Sequence, residues 1–178
     1  IRNSLAEIAS GIALGVSLTS MQSGLQEFTG VERRFQRIGD AGGVSIIDDY
    51  AHHPTEIAAT LEAARAAFPG RRIVAAFQPH LYSRTRDFFA NFARALAAAD
   101  VVFLADIYPA REQPIEGVTL ELIASKLREA GKNPQWEGPR TELASALSEF
   151  VRPEDVILTI GAGDITRTGP ELLALLGS

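Results

Sequence analysis

Three short segments hold most of the residues capable of chemistry, and each follows a run of apolar residues. The first segment, residues 48–56, reads DDYAHHPTE, and the second, residues 77–87, reads FQPHLYSRTRD. The third, residues 161–165, reads GAGDI. All three histidines of the chain lie in the first two segments. Imidazole exchanges protons near neutral pH, and a guanidinium group matches the two oxygens of a carboxylate or phosphate. The segments therefore indicate proton transfer and anion recognition.

The first segment is open to two interpretations from its residues alone. The aspartates could cap turns, and the residues after them could be an ordinary helix N-terminus. Carboxylates and imidazoles also suit first-row metals, so Asp48, Asp49, His52 and His53 could form the centre of a metal-dependent phosphoesterase. Metal centres usually draw ligands from several strand ends, and no histidine lies beyond these two segments. We therefore predict no metal site built from protein ligands alone.

The second segment places Arg84 and Arg86 next to His80 at a predicted strand-to-helix junction. Arginines at such a junction suit recognition of a phosphate or a carboxylate. The alternative is a solvated helix surface on which an arginine pairs with Asp87 and contributes little to stability.

The third segment is a weaker signal. Two glycines after a strand permit a tight turn and a close backbone approach to a ligand, but Asp164 could be no more than a helix cap. The sequence contains no G-x-x-x-x-G-K-[ST] phosphate loop. If the chemistry uses ATP, the main triphosphate site lies outside this chain.

Alternating strand and helix patterns position the three segments. Strands are predicted at residues 44–47, 72–77, 101–104, 134–137 and 156–160, and helices at residues 55–68, 83–98, 119–130, 141–151 and 165–176. This alternation predicts an α/β fold with a Rossmann-like, doubly wound and mostly parallel sheet of about six strands. Such sheets bind ligands at the carboxyl ends of their strands, where all three segments are expected.

The amino-terminal part has a different character. Residues 1–30 have the pattern of two short helices and are assigned to the end of a neighbouring domain, whereas residues 31–178 are assigned to the α/β domain. The sequence lacks an initiator Met and a signal peptide and begins within a helical pattern, so we expect a piece of a longer chain.

Composition narrows the class of protein. The 178 residues carry a net charge of −5, which argues against a general nucleic-acid or anionic-membrane surface. No apolar run approaches the roughly 18 to 20 residues of a membrane span. The absence of cysteine excludes disulfides and agrees with a cytoplasmic location.

Five segments together resemble the Mur ligase family. They are residues 30–36 (GVERRFQ), 48–56, 77–87, 106–112 (DIYPARE) and 161–165, and they follow the order of the family. The resemblance implies an ATP-dependent enzyme, with Mg²⁺, that joins L-alanine to UDP-N-acetylmuramate in peptidoglycan precursor synthesis. It also implies that the muramoyl carboxylate is activated as an acyl phosphate. In the same family, residues 1–30 would be the terminal helices of the central ATP-binding domain, and residues 31–178 would be the C-terminal domain.

The resemblance also implies roles for individual residues. On the nucleotide side, Asn3 would approach adenine, and Arg34 and Asp49 would lie near the phosphates. The residues implied around the amino acid are Tyr50, His52, His80 and Arg84. Of these, Arg84 would neutralise the alanine carboxylate, and one of the two histidines would take the ammonium proton, which gives His52, His80 and Arg84 as the catalytic set.

One departure from the family and several alternatives stay open. Leu81 stands where some members carry an arginine that helps to hold the alanine carboxylate. A sister enzyme that recycles a tripeptide shares the Asp-Asp-x-x-His-His-Pro string, but it lacks the Gln-Pro-His-x-Tyr-Ser-Arg string that begins at Gln78. A binding module without catalysis is the non-enzymatic alternative. In the ligase interpretation, the chain alone is expected to be inactive.

Overall fold

The computed structural model describes residues 2–27 and 30–177, with side chains from residue 5 onward. The chain divides into two compact units, Ile1–Val31 and Glu32–Ser178. The boundary between these units lies one residue after the boundary expected from the sequence, which separated residues 1–30 from residues 31–178. The assignment of the first unit to an ATP-binding domain stays a prediction.

The first unit consists of helices α1 (Arg2–Ala13) and α2 (Leu18–Glu27). Their contact requires a small residue, because a β-carbon at Gly11 would collide with the sulfur of Met21. The hydroxyl of Ser17 accepts a hydrogen bond from the N–H of Ser20 at 3.1 Å and so caps α2. Within the described residues, no helix has the length and apolar character needed to cross a membrane.

The second unit is built on a six-stranded sheet. Its strands are β1 (Gln36–Ala41), β2 (Val44–Asp49), β3 (Ile73–Phe77), β4 (Val101–Ala105), β5 (Trp136–Gly138) and β6 (Val156–Ile160). Their order across the sheet is β1-β2-β6-β3-β4-β5, and every neighbouring pair is parallel except β1 with β2. The predicted fold class is confirmed.

Helices cover both faces of this sheet. They are α3 (Pro54–Ala67), α4 (Tyr82–Leu96), α5 (Glu121–Glu129), α6 (Arg140–Phe150) and α7 (Thr168–Leu176), with a 3-10 turn at Asp164–Arg167. One core joins α3, α4 and α5 to one face through residues such as Leu61 and Phe92. The other core joins α6 and α7 to the opposite face through residues such as Leu147 and Leu172. Because both faces are covered, β2, β3 and β6 are buried along their whole length.

The edge strand β1 is absent from the strands that the sequence predicted. Its residues, QRIGDA, contain a single large apolar side chain, Ile38, which packs partly buried against the second core. An antiparallel edge strand needs no continuous apolar run, so periodicity alone gave no signal for it. By pairing with β2, this strand brings the segment before it, which contains Arg33 and Arg34, next to the end of β2.

The starts of α3 and α4 fix the positions of the site residues. Helix α3 begins with Pro54, and His53 and Glu56 form a reciprocal capping box. Helix α4 follows Leu81, whose φ of 74° lies in the left-handed region that a leucine rarely adopts. The carbonyl of Leu81 accepts hydrogen bonds from both the N–H and the hydroxyl of Thr85, at 3.1 and 2.8 Å. These bonds hold the strained turn in place.

Candidate active site

The order of the strands brings the three predicted segments together. Strand β6 lies between β2 and β3, and Ile160 is in register with Asp49 on one side and Phe77 on the other. These three residues end their strands at the same level of the sheet. The segments that follow them therefore leave from one edge, as the sequence predicted.

Asp48 is a structural residue of this edge. Its carboxylate is fully buried and accepts hydrogen bonds from the hydroxyls of Thr159 at 2.6 Å and Thr166 at 2.9 Å. The Nε of Arg33 donates to the same carboxylate at 3.2 Å, and its Nη2 donates to the carbonyl of Gly161 at 2.6 Å. Arg33 and Asp48 thus join the first and third segments.

Asp49 holds the segment before β1, which contains Arg33 and Arg34. One carboxylate oxygen accepts the N–H of Phe35 at 2.8 Å, and the other accepts the N–H of Ala51 at 2.8 Å. The residue is only 6% exposed. It thereby sets the position of Arg34, whose side chain is 53% exposed and lies 3.9 Å from Glu56.

Tyr50 lies between cationic groups and an imidazole. The guanidinium carbons of Arg33 and Arg34 lie 4.7 and 5.9 Å from the centre of its ring, within the range of cation–π attraction. The ring of His52 meets it edge-on, with centroids 5.3 Å apart. Tyr50 is therefore in contact with the guanidinium groups of Arg33 and Arg34 and with the imidazole of His52.

His52 is oriented by two acceptors. Its Nδ1 lies 3.0 Å from the carbonyl oxygen of Tyr50 and 3.5 Å from Oε2 of Glu56. Burial acts to raise the pKa of Glu56. The N–H groups of His52 and His53 and the charges of His52 and Arg34 outweigh burial, so that this pKa lies below its ordinary value of 4.5. Glu56 is therefore an anion beside the imidazole at neutral pH.

His80 lies near both His52 and Arg84. Its ring centre is 6.3 Å from that of His52, and its Nδ1 lies 3.4 Å from Nη1 of Arg84. Burial lowers the pKa of His80 below its ordinary value of 6.5, and the charges of Arg84 and His52 act in the same direction against that of Glu112. His80 is consequently a neutral imidazole at neutral pH.

The structure thus brings together four of the predicted residues, Tyr50, His52, His80 and Arg84, and places Arg34 and Asp49 beside them. The side chain of Asn3 lies outside the described residues. Arg86, by contrast, is directed to an exposed pair with Asp87, at 2.7 Å between Nε and Oδ1. Arg84 alone of the two arginines joins the histidines.

Comparison with known proteins decides the family. Residues 33–163 match the family described as "Mur ligase, glutamate ligase domain". The chain belongs to the Mur ligase family. It is 52% identical over 174 residues to a protein of Anaeromyxobacter dehalogenans and 49% identical over 177 residues to one of Cutibacterium acnes. Both are named UDP-N-acetylmuramate–L-alanine ligase. The matches cover 98% and 99% of this chain but only 38% of each relative.

Solved Mur ligase structures agree in fold. The crystal structure of the UDP-N-acetylmuramate–alanine ligase of Thermotoga maritima matches with a TM-score of 0.81 at 33% identity, over 97% of this chain and 36% of that one. A murein peptide ligase of Psychrobacter arcticus matches with a TM-score of 0.71 at 25% identity, over 99% of this chain and 36% of that one. The chain therefore spans little more than a third of the Mur ligases it resembles.

The loop after β4 supplies two residues of the candidate site for which the sequence predicted no role. The ring of Tyr108 stacks on His80, with centroids 5.7 Å apart. Its N–H donates to the carbonyl of Pro79, and its carbonyl accepts the N–H of Leu81, so that two backbone bonds flank His80. In the same loop, Glu112 accepts the N–H of Ser83 at 2.9 Å and also the Ser83 hydroxyl. In the sequence, residues 106–112 indicate only the family resemblance.

The third segment uses its glycines for packing inside the Mur ligase domain. A β-carbon at Gly163 would come within 2.6 Å of the Tyr108 ring, and one at Gly161 within 2.8 Å of the Gln78 carbonyl oxygen. Gln78 bridges the second and third segments, donating to Asp164 at 2.9 Å and accepting the N–H of Ile165 at 3.0 Å. Asp164 forms no side-chain cap of a helix, because its carboxylate accepts the Gln78 amide. The close backbone approach that the two glycines permit is to Gln78 and Tyr108.

A metal centre on Asp48, Asp49, His52 and His53 does not fit this geometry. Each of these residues is held by its own protein partners, and Nδ1 of His53 lies 2.8 Å from the hydroxyl of Thr55. Among the described residues, no group of three or more acidic or histidine side chains is arranged to hold an ion. The arrangement can neutralise an anion and exchange a proton, which is the chemistry of an amine acceptor site.

Proposed function

We propose that this chain is the C-terminal part of an ATP-dependent ligase that joins L-alanine to UDP-N-acetylmuramate. The reaction would activate the muramoyl carboxylate as an acyl phosphate and would serve peptidoglycan precursor synthesis in the cytoplasm. Through that pathway it would support cell-wall formation, cell shape and division. Since the chain spans 38% of its relatives, the rest of the protein would supply the UDP site and the main ATP site, and the chain alone would be inactive.

The observation that carries the proposal is the grouping of two imidazoles with one guanidinium at a single sheet edge. His52 and His80 are 6.3 Å apart between ring centres, and Arg84 contacts His80. A zwitterionic amino acid presents a carboxylate and an ammonium group only a few ångströms apart. A guanidinium matches the carboxylate, and an imidazole can take the ammonium proton that blocks nucleophilic attack.

Each residue of the group has a role in this proposal. Arg84 would neutralise the carboxylate of the amino acid, and Tyr50 would form a wall of its site. His52 and His80 would lie beside the incoming amino acid, where an imidazole can take up its ammonium proton. Holding the amine close to the acyl carbon is itself a large part of catalysis, because it removes the entropy cost of bringing two reactants together.

The nucleotide side is less complete within this chain. The exposed guanidinium of Arg34 is suited to a phosphate, and Asp49 would act through the N–H of Phe35, which fixes the position of Arg34. Asn3 is assigned to the adenine side from the family resemblance alone. The described residues offer no ligand set for Mg²⁺, which prefers octahedral oxygen ligands from carboxylates, phosphates and water. Nothing in the proposed roles of this chain depends on direct contact with the metal.

Two alternatives are weaker. A tripeptide-recycling ligase would need the second segment to differ, and the relative named as a murein peptide ligase is 25% identical, against 49% and 52% for the proteins named as alanine ligases. A phosphoesterase would need a metal centre that Asp48, with its three protein donors, does not supply. The alanine ligase is therefore the function that the site supports best.

The test measures phosphate release by the full-length protein that contains this chain, with Mg-ATP and UDP-N-acetylmuramate. L-alanine, glycine, L-serine and the recycling tripeptide are supplied in turn as acceptors. We expect L-alanine to stimulate release most strongly and Arg84→Ala to abolish that stimulation. Arg86→Ala is the matched control, because Arg86 pairs with Asp87 on the surface and should keep nearly full activity.

The outcomes separate the alternatives. Stimulation chiefly by the tripeptide would assign the protein to the recycling enzymes. No stimulation by any acceptor, in a protein that folds and binds ATP, would exclude the proposed function. The 178-residue chain assayed alone should release no phosphate in response to L-alanine.

A further inference from the structure

The two imidazoles of the candidate site have opposite partners at Nδ1. Nδ1 of His52 faces two acceptors, a carbonyl and a carboxylate, whereas Nδ1 of His80 faces a guanidinium. A neutral imidazole carries one N–H and one lone pair, so the partner of one nitrogen determines the state of the other. The two rings are therefore in different tautomers.

His52 has its proton on Nδ1. The carbonyl oxygen of Tyr50, 3.0 Å away, accepts hydrogen bonds and cannot donate them, and the carboxylate of Glu56, 3.5 Å away, is also an acceptor. A lone pair at Nδ1 would face both oxygens and be repelled by them. The lone pair of the neutral ring consequently lies on Nε2, which has no hydrogen-bond partner among the described residues.

His80 has the reverse arrangement. Arginine has five N–H donors and no acceptor, so Nδ1 of His80, 3.4 Å from Nη1 of Arg84, must present its lone pair. The proton of the neutral ring is then on Nε2. His80 can donate a hydrogen bond from Nε2, but its lone pair is directed to Arg84.

We propose that His52 accepts the ammonium proton of the incoming amino acid at Nε2, and that His80 serves as a hydrogen-bond donor to a substrate oxygen. This assignment rests on the proposed function, because it concerns the acceptor site of that reaction. It separates two histidines that the sequence left equivalent.

The proton and electron balance of the step is simple. One proton passes from the ammonium group to Nε2 of His52, which becomes an imidazolium with both ring nitrogens protonated. The freed lone pair forms the carbon–nitrogen bond with the acyl carbon, and the carbon–oxygen bond to phosphate then breaks. Its electron pair leaves with the phosphate, which takes the second proton released by the nitrogen. The amide and inorganic phosphate remain.

The charges around His52 favour this role. Oε2 of Glu56, on α3, lies 3.5 Å from Nδ1 of His52, and Nη1 of Arg34 lies 3.9 Å from the other carboxylate oxygen of Glu56. From the second segment, His80 faces His52 with Arg84 behind it. Because the pKa of His80 is lowered, this imidazole is neutral, and the cation that contacts it is the Arg84 guanidinium proposed for the amino-acid carboxylate.

The tautomers can be observed directly in this chain without any turnover. Long-range proton–nitrogen correlation spectra distinguish a ring with its proton on Nδ1 from one with its proton on Nε2. The chain has three histidines, and the third, His53, accepts the N–H of Thr55 at Nδ1 and should also be protonated on Nε2. At a pH where the rings are neutral, we expect one Nδ1–H ring, which disappears in His52→Gln. Finding His52 in the Nε2–H form would overturn the assignment.

Kinetics of the full-length protein then test the chemistry, with the same substitution at both positions. Glutamine keeps an N–H donor but cannot take up a proton, so His80→Gln should lower kcat much less than His52→Gln does. His52→Gln should lower kcat with L-alanine on the order of a hundredfold, the lower end of what a general base contributes. His53→Asn, which preserves a helix cap, is the control and should behave like wild type.

Hydroxylamine distinguishes proton transfer from a structural effect. Its nitrogen is uncharged at neutral pH, so trapping of the acyl phosphate as a hydroxamate needs no proton acceptor. We expect His52→Gln to retain hydroxamate formation while it loses the reaction with L-alanine. An equal loss of both would overturn the role of His52 and leave the proposed function intact. A wild-type protein without alanine-stimulated phosphate release would instead remove the proposed function itself.

Discussion

The ring of Tyr108 lies parallel to the imidazole of His80, with centroids 5.7 Å apart and planes inclined by 18°. Two backbone hydrogen bonds from Tyr108 flank the same histidine, at 2.8 and 2.9 Å. The ring therefore covers His80, while the backbone of the same residue fixes its position. A substitution at Tyr108 removes the ring but keeps both backbone hydrogen bonds. The effect of the ring on His80 can therefore be measured by itself.

We predict that Tyr108→Ala raises the pKa of His80. Burial is the largest cause of the low pKa of this imidazole, and removing the ring admits water, which favours the charged form. A histidine titration followed by NMR should show the pKa moving up toward 6.5, and stability should fall by about 0.5–1.5 kcal/mol through loss of the aromatic contact. Tyr108→Phe keeps the stacked ring and should leave the titration unchanged. An equal shift in both variants would contradict this explanation.

Arg33 and Arg34 are adjacent in sequence and should differ strongly in their effect on stability. Arg33→Met leaves the fully buried carboxylate of Asp48 without its cation and should cost about 3–5 kcal/mol. Arg34→Met removes an exposed side chain and should change stability by less than about 0.5 kcal/mol. Urea unfolding followed by the fluorescence of Trp136, the single tryptophan, measures both.

A second substitution tests the cause of the Arg33 effect. If the loss arises from an uncompensated charge, Asp48→Asn should restore part of the stability when combined with Arg33→Met, because the amide needs no cation. Equal losses in the two arginine variants, or no recovery in the double variant, would contradict a structural role for the Arg33–Asp48 pair.

The sequence was sufficient to predict the central strands and the edge of the sheet at which the site forms. Strands β2, β3 and β6 are buried on both faces, so their apolar residues are continuous and easily recognised. Their parallel arrangement then follows from the helices between them, and with it the convergence of the three segments. The polar edge strand β1 lacks this signal.

The different uses of Asp48 and Asp49 depend on contacts that the sequence does not contain. Neighbouring side chains of a strand point to opposite faces of the sheet, so the sequence predicts different surroundings for the two carboxylates. The partners of Asp48 include Thr159, 111 positions away along the chain. Tyr108 was likewise unpredictable as a neighbour of His80, because it comes from a loop after another strand. Such distant pairings become visible only when the fold is known.

The capping carboxylate of Glu56 gives a prediction for pH dependence. Its folded-state pKa lies below the ordinary value of 4.5, so its charge contributes stability above that value, and the contribution is lost as the pH falls through the lower folded pKa. Glu56→Gln keeps an acceptor for the capping box but loses the charge at the helix start. At pH 7 it should be less stable by about 0.3–1 kcal/mol, and the difference should disappear in acid.

Chemical unfolding at a series of pH values measures this difference. Glu62→Gln is the comparison, because Glu62 is an exposed residue of the same helix beyond its first turn. A difference for Glu56→Gln that persists unchanged below pH 3 would show that the charge is not its origin.

Glu112 should control the affinity for the amino acid without contacting it. Its carboxylate accepts the N–H and the hydroxyl of Ser83, and Ser83 precedes Arg84 in the first turn of α4. Hydrogen bonds from Ser83 are the largest cause of the lowered pKa of Glu112, so the carboxylate is charged at neutral pH. Loss of this carboxylate would loosen the turn that presents the Arg84 guanidinium.

We therefore expect Glu112→Ala to raise KM for L-alanine on the order of tenfold, since a small displacement of a positioning group is enough to weaken binding. The value of kcat should change less, because His52 is held by Tyr50 and Glu56 and does not depend on this loop. Glu116→Ala is the matched control, because Glu116 is exposed in the same loop, and it should leave KM unchanged. A fall in kcat at constant KM would mean that Glu112 acts on the reacting groups and not on the position of Arg84.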